Sequence, residues 1–322
     1  MTQNVTIHPL VSPWGRFGLY SFFIDAPEPA IVDTGIATSP AEGMIPELEK
    51  LGRSIEEVKW ILLTHGHIDH LGGAHALWEL TGRTAQVVIH EADAGLLRSR
   101  RAHVEEFLTG RQRYIQDPEG EAKQLAATDH AISGEMDPTL TVSGGETISL
   151  GGDVTVSVHH IPGHTDGSVA YVVDGQNDVF VGDAVQVHGA ANHFPGYVDP
   201  TAYRKSLEYL RDEVRPGRLY LGHPYRNTEG VPFDIGMDAA AAREALQESL
   251  DIEARVDAAA RRCLAAGPAA GSDEPGLQET DSPYSPFASV AEELGYTGDP
   301  TLEPSPFFTT MHGYRTLYGP KG

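Results

Sequence analysis

Three imidazoles and a carboxylate fall within the six positions His65-Gly66-His67-Ile68-Asp69-His70, directly after the apolar run Trp60-Ile61-Leu62-Leu63. Donors this dense, on a loop leaving a buried strand, make a metal site. Alternate residues of an extended segment point the same way, so His65 and His67 address one ion from one side. Asp69 and His70 come one turn later, as the chain enters a helix at Gly72-Gly73, and are placed to reach a second ion beside the first. Three later positions can complete these half-sites: His164 in Ile161-Pro162-Gly163-His164, Asp183 in Val179-Phe180-Val181-Gly182-Asp183, and His223 in Leu219-Tyr220-Leu221-Gly222-His223. Each follows a glycine, where the missing side chain lets backbone crowd a metal cluster. Any one of the 15 histidines alone reads as a surface or satisfied core residue, and Asp183 alone as a turn residue. The ordered set is what points to metal.

In that order, His-x-His-x-Asp-His, Gly-His, Gly-Asp and Gly-His, the chain resembles the metallo-β-lactamase superfamily over roughly its first 230 residues. The resemblance implies an α/β fold, a four-layer αββα sandwich with the ligands at one end. It implies that His65, His67 and His164 bind one metal, that Asp69, His70 and His223 bind the other, and that Asp183 bridges them. Two divalent ions are then the cofactor, zinc first, with manganese or iron also accepted by these donors. A hydroxide between the ions would attack a carbonyl, with Asp69 also moving a proton to the leaving group. Asp33-Thr34-Gly35 matches the family's early Asp-x-Gly turn, which in relatives packs under the metal loop.

With Asp183 present and no cysteine available as a ligand, the set differs from many true β-lactamases. It looks more like glyoxalase II, the quorum-signal lactonases and related thioesterases and phosphodiesterases. Gly222-His223-Pro224-Tyr225 is similar to the Gly-His-x-Tyr of glyoxalase II, whereas residues 186–197 lack that enzyme's lysine-bearing loop. Gln186 stands where quorum lactonases carry a tyrosine. Candidate substrate contacts are Gln186, His188, His193, Tyr197 and Tyr225, because they closely follow ligands; a Tyr hydroxyl or protonated His there would stabilise an oxyanion.

The elements that position these residues follow from periodicity. Short β-type runs at 5–7, 18–24 and 30–33 read as an antiparallel meander. Apolar spacing from Pro40 to Leu51 predicts a helix, Ser54-Ile55-Glu56-Glu57 has capping-box form, and a strand covers Lys59 to Leu63. A helix over Ala74 to Leu80 carries His75, read as a packing or exposed residue, and a strand follows at Gln86 to Ile89. Further strands are expected at 146–150, 154–160, 168–173, 178–181 and 218–221, an amphipathic helix at 200–214, and a long Ala-rich helix, continuous or broken in two, at 239–264. The domain reading is a catalytic domain over 1–230, with a helical lid insertion at about 91–140, and a C-terminal extension over 231–322. Arg98, Arg100, Arg101, Arg111 and Arg113 in the insertion read as a solvated face with acidic neighbours, or as a lid that grips a carboxylate. Residues 267–283 have linker composition, and the aromatic tail at 284–318 is too apolar to float free, so it docks on the body or on a second copy in a homodimer.

At 322 residues with a formal net charge of −23, the chain lacks the clustered basic residues that a polyanionic partner requires, so nucleic acid is disfavoured. The sole cysteine, Cys263, reads as a buried helix residue. Residues 1–11 do not form a signal peptide and no later run could span a bilayer, so a cytoplasmic protein with no membrane partner is expected. The leading reading is a metal-dependent hydrolase of a small-molecule carboxylic ester, thioester or lactone. Its rivals are a persulfide dioxygenase with a single iron on His65, His164 and Asp183, and a non-catalytic metal-binding module.

Overall fold

The computed structural model describes residues 5–14, 17–111, 113–115, 117–189, 194–265, 282–300 and 306–319. Among the described residues twelve strands form two six-stranded sheets. The first runs, in spatial order, β1 (Thr6–Trp14), β2 (Phe17–Asp25), β3 (Ala30–Val32), β4 (Trp60–Leu62), β5 (Gln86–His90) and β6 (Leu140–Val142). The second runs β7 (Thr147–Ser149), β8 (Thr155–His160), β9 (Val169–Val173), β10 (Asp178–Phe180), β11 (Arg218–Tyr220) and β12 (Gly236–Asp238).

The central strands are buried on both faces, and alternation sorts their side chains into layers. Val32, Leu62 and Val88 point to the second sheet and pack with Val156, Val158, Tyr171, Val173 and Phe180. Their neighbours Ile31, Ile61, Leu63, Val87 and Ile89 point the other way, onto Leu48, Leu71, Ala74 and Leu77 of the outer helices. Ala170, Val172, Val179 and Leu219 face the opposite helical layer, with Tyr203, Leu207, Leu246 and Val256. The four layers αββα follow.

Strand direction decides where the loops emerge. The antiparallel meander expected of the first three strands holds for β1 to β3; β3, β4, β5 and β6 then pair in parallel, so the first sheet is mixed. The short connection between Asp25 and Ala30 allows a hairpin, whereas the longer, helix-bearing stretches after Val32, Leu62 and His90 allow crossovers. In the second sheet β10 pairs parallel to β11, and β8 runs with them because both β8 and β10 lie antiparallel to β9. The C-terminal ends of β3, β4, β5, β8, β10 and β11 therefore discharge their loops at one edge of the sandwich.

The helices depart from expectation in detail. The 200–214 segment is α-helical over Pro200–Tyr209, started by the Asp199 carboxylate accepting from Thr201 N (2.8 Å) and Ala202 N (3.0 Å), and widens into a π turn over Leu210–Val214. Ala239–Ala265 is a single 27-residue helix, not two; it contains neither Gly nor Pro to break it. Cys263 is half-buried rather than buried. The expected linker at 267–283 lies almost wholly outside the described residues. The aromatic tail docks on the body: Phe287, Phe307, Phe308 and Tyr314 are buried in the same apolar cluster as Leu207 and Leu246. Arg98 and Arg101 pair with Asp137 and with Glu105 and Glu121, as a solvated face would. Among the described residues no helix is long and apolar enough to cross a membrane.

A buried polar knot fixes the C-terminal helices. Glu253, 1% exposed, accepts from Arg204 Nε (2.6 Å) and Nη2 (2.8 Å) and from the Tyr314 hydroxyl (2.8 Å). Removing one member of such a pair strands a buried charge. Arg204→Met is expected to cost about 3 kcal/mol, read as a lower urea midpoint with unchanged slope; an unchanged midpoint would mean that Glu253 finds water instead.

Candidate metal centre

The edge where the strands discharge brings together the residues expected from sequence. Leu62 ends β4, and the chain passes through Thr64, His65 and Gly66 to His67, which heads the short helix Ile68–Leu71 carrying Asp69 and His70. His164 follows β8, Asp183 follows β10 and His223 follows β11. Their donor atoms fall into three overlapping groups, each within 4.8 Å: His65, His67 and His164; Asp69, His70 and His223; and His65, His70 and Asp183, which joins the first two. His164 Nε2 lies 2.9 Å from His67 Nδ1, and His70 Nε2 lies 3.2 Å from His223 Nε2. The Asp183 oxygens sit 3.5 Å from His70 Nε2 and 3.3 Å from His223 Nε2, and Asp69 Oδ2 is 3.2 Å from His223 Nε2.

The outer ring nitrogens fix which atom faces inward. Asp33 accepts from Thr64 N (2.8 Å), Thr64 Oγ1 (2.8 Å) and His70 Nδ1 (2.9 Å). Thr64 has one hydroxyl proton and gives it to Asp33, so its oxygen accepts from His65 Nδ1 (3.1 Å). His164 Nδ1 donates to Gly196 O (2.7 Å) and His223 Nδ1 to Gly18 O (3.1 Å). By these acceptors His65, His70, His164 and His223 all turn Nε2 to the centre, the arrangement outer partners impose on metal-binding imidazoles. His65 Nε2 and Asp183 Oδ1 are buried there without a hydrogen-bond partner. Orphaned acceptors facing one another, with nitrogen and oxygen donors only, fit a divalent cation.

Backbone crowds the same point. A Cβ on Gly222 would come 2.4 Å from His70 Cε1 and 2.6 Å from Asp183 Oδ1. Gly182 adopts φ +51°, and a Cβ there would come 2.2 Å from Thr64 Oγ1.

Charge divides the cluster in two. Burial, then the neighbouring imidazoles, keep His65 well below its ordinary pKa and bring His67 down to about 3, and burial lowers His164. Burial opposes protonation of His70 and His223 too, but the carboxylates outweigh it: His70 is raised by Asp183, Asp33 and Asp69, and His223 to about 10 by Asp183 and Asp69. Burial disfavours the Asp69 carboxylate, yet His70 and His223 bring it down to about 2. A neutral trio thus adjoins a charged set, and cations would take the place of its protons.

The sequence profile of the metallo-beta-lactamase superfamily matches residues 15–223. The chain belongs to that superfamily. Among curated members it is 29% identical over 190 residues to a hydroxyacylglutathione hydrolase of Hyphomonas neptunium, covering 59% of this chain and 56% of the relative. It is 28% identical over 201 residues to another from Synechococcus sp., covering 62% and 60%. The chain thus spans less than two thirds of the length of these relatives. Among solved structures, a metallo-beta-lactamase family protein from Thermus thermophilus superposes with a TM-score of 0.64 at 21% identity, covering 99% of this chain and 95% of that one. The fold of that protein is therefore shared along nearly the whole chain.

The expected substrate contacts behave differently from one another. Tyr225 is buried with its ring 5.8 Å from that of His223, and its hydroxyl is pushed well above its ordinary pKa by burial and then by Asp183. His188 places Nε2 3.1 Å from Thr228 Oγ1 and lines a hollow of about 260 Å³ with Pro224, Arg226 and Asn227. Gln186 is buried behind His164: its Oε1 accepts from Gly196 N (2.5 Å) and its Nε2 lies 2.9 Å from His164 Nδ1. Tyr197 is buried as well, stacked on Tyr203 with its hydroxyl 3.0 Å from that of Tyr314. His193 lies outside the described residues.

Asp93 was not legible in the sequence. Its Oδ2 accepts from Gly66 N (2.7 Å) and Thr165 Oγ1 (2.7 Å), and its Oδ1 from Gly167 N (2.9 Å), tying the loop of His65 and His67 to the loop of His164. Over the same loops, the helix Arg100–Arg111 carries buried His103, whose Nε2 donates to Leu96 O (2.8 Å), and exposed Glu106 one turn on.

Asp33→Asn supplies one acceptor oxygen where three donors converge, at a φ of +57° that asparagine tolerates. Metal affinity is expected to fall about 10- to 100-fold in chelator competition, with unchanged circular dichroism. Equal affinity would show that Asp33 does not orient His70.

Proposed function

We propose that this protein is a metal-dependent hydrolase that cleaves a small-molecule thioester, carboxylic ester or lactone, with water activated between two divalent ions, zinc foremost. The observation that carries the reading is the overlap of the three donor groups, in which His65, His70 and Asp183 join a three-histidine site to an Asp-His-His site. Ions held there supply Lewis acidity, lowering the pKa of water toward 7 and drawing charge from a carbonyl oxygen. The chain's own residues do the rest. His65, His67 and His164 would hold one ion, Asp69, His70 and His223 the other, with Asp183 between them. Asp69, only partly buried, would also pass a proton to the leaving atom. The Tyr225 hydroxyl, kept protonated by its surroundings, would face a developing oxyanion.

Relatives named hydroxyacylglutathione hydrolase support a thioester as the scissile bond. The hollow beside Pro224, with His188 and Arg226 in its lining, suits an anionic end of the substrate. The helices Arg100–Arg111 and Gly120–Ala131 are read as the lid of the 1–230 catalytic domain.

Metal analysis joined to a panel of thioesters, esters and lactones tests this reading. About two ions per chain, turnover of a panel member, loss of turnover on chelation and its return with zinc are expected. A single iron with oxygen consumption would replace the hydrolase by a dioxygenase, and a protein with neither metal nor turnover would be a binding module.

A further inference from the structure

His164 depends on a helix that contributes no ligand. Its Nδ1 proton goes to the carbonyl of Gly196, and its backbone is held by the same loop: Gly163 O accepts from Val198 N (2.7 Å) and Asp199 N (3.1 Å). Gly196 has no side chain, and although Gln186 Oε1 holds its N–H (2.5 Å), the following peptide, which carries the carbonyl, must be aimed from elsewhere. The C-terminal helix Pro306–Tyr318 is pressed against the loop: a Cβ on Gly196 would come 2.8 Å from Pro306 Cβ, and one on Gly313 2.5 Å from Val198 O. Thr310, wholly buried on that helix, donates its hydroxyl to Pro195 O (2.9 Å) and accepts from Tyr197 N (3.2 Å). One side chain therefore fastens both residues that flank Gly196.

We infer that Thr310 is a positioning residue for the metal centre, holding the Gly196 carbonyl at the angle that keeps the His164 Nε2 lone pair on the ion. The inference rests on the reading of His164 as a ligand. Without the hydroxyl, the peptides on either side of Gly196 lose their common anchor. The imidazole then loses the acceptor that sets both its tautomer and its rotation.

Thr310→Val keeps the volume and deletes both hydrogen bonds; Thr310→Ser restores them. Zinc affinity is measured by competition with a chromophoric chelator, well below the melting temperature of each variant, alongside the melting temperature of the metal-free proteins. Thr310→Val is expected to weaken one of two zinc ions by about 10-fold or more, Thr310→Ser to recover wild-type affinity, and Thr316→Val, on the same helix with its hydroxyl bonded to His312 O, to change nothing. A lower melting temperature with both zinc affinities intact would overturn the inference and leave Thr310 a packing residue. Should Thr310→Val fail to fold, Thr310→Ala, which adds no bulk, is judged by the same criterion. A wild-type protein that binds no zinc would instead remove the ligand reading itself.

Discussion

Imidazole nitrogens with their lone pairs turned toward one another, out of water and beside two carboxylates, are the constraint on which this protein is built. Nothing in the apolar sandwich requires that arrangement. His164 Nε2 and His67 Nδ1 stand 2.9 Å apart, and His65 Nε2 has no partner. Such a cluster persists only if the scaffold holds each ring from behind, and it gains most when a cation takes the centre.

The scaffold does so by strand direction and by backbone. Strands of both sheets that run the same way deliver their loops to one edge, and carbonyls or carboxylates then take the outer nitrogens: Asp33 for His70, Gly196 for His164, Gly18 for His223. The acceptors come from β2, from the turn after β3 and from the 194–199 loop, so the coordination geometry is a property of the whole sandwich rather than of the ligand loops. This is why a chain can keep its ligands and still depend on residues far from them.

How much of this was legible in the sequence differs residue by residue. The His-x-His-x-Asp-His run and the three glycine-preceded ligands are local patterns, and local patterns survive in one dimension; so does Asp33, which ends a strand and turns. Parallel pairing in the first sheet was hidden because alternation reports faces, not direction. The burial of Tyr197 and Gln186 was hidden because nearness to a ligand along the chain does not say which way a loop turns its side chains. Asp93 ends no motif, and Thr310 acts on a peptide 115 positions away, so neither leaves a mark that spacing or composition could reveal.

Asp93 has a consequence for how the protein meets its ions. Its carboxylate clasps Gly66 on one side and Thr165 and Gly167 on the other, spanning the gap between the two sheets at their rim. The separation of the first two histidines from the third is thus set by a covalent group of fixed size, whether or not an ion is present. Binding a cation between those histidines would then call for no rearrangement of the two sheets at that rim.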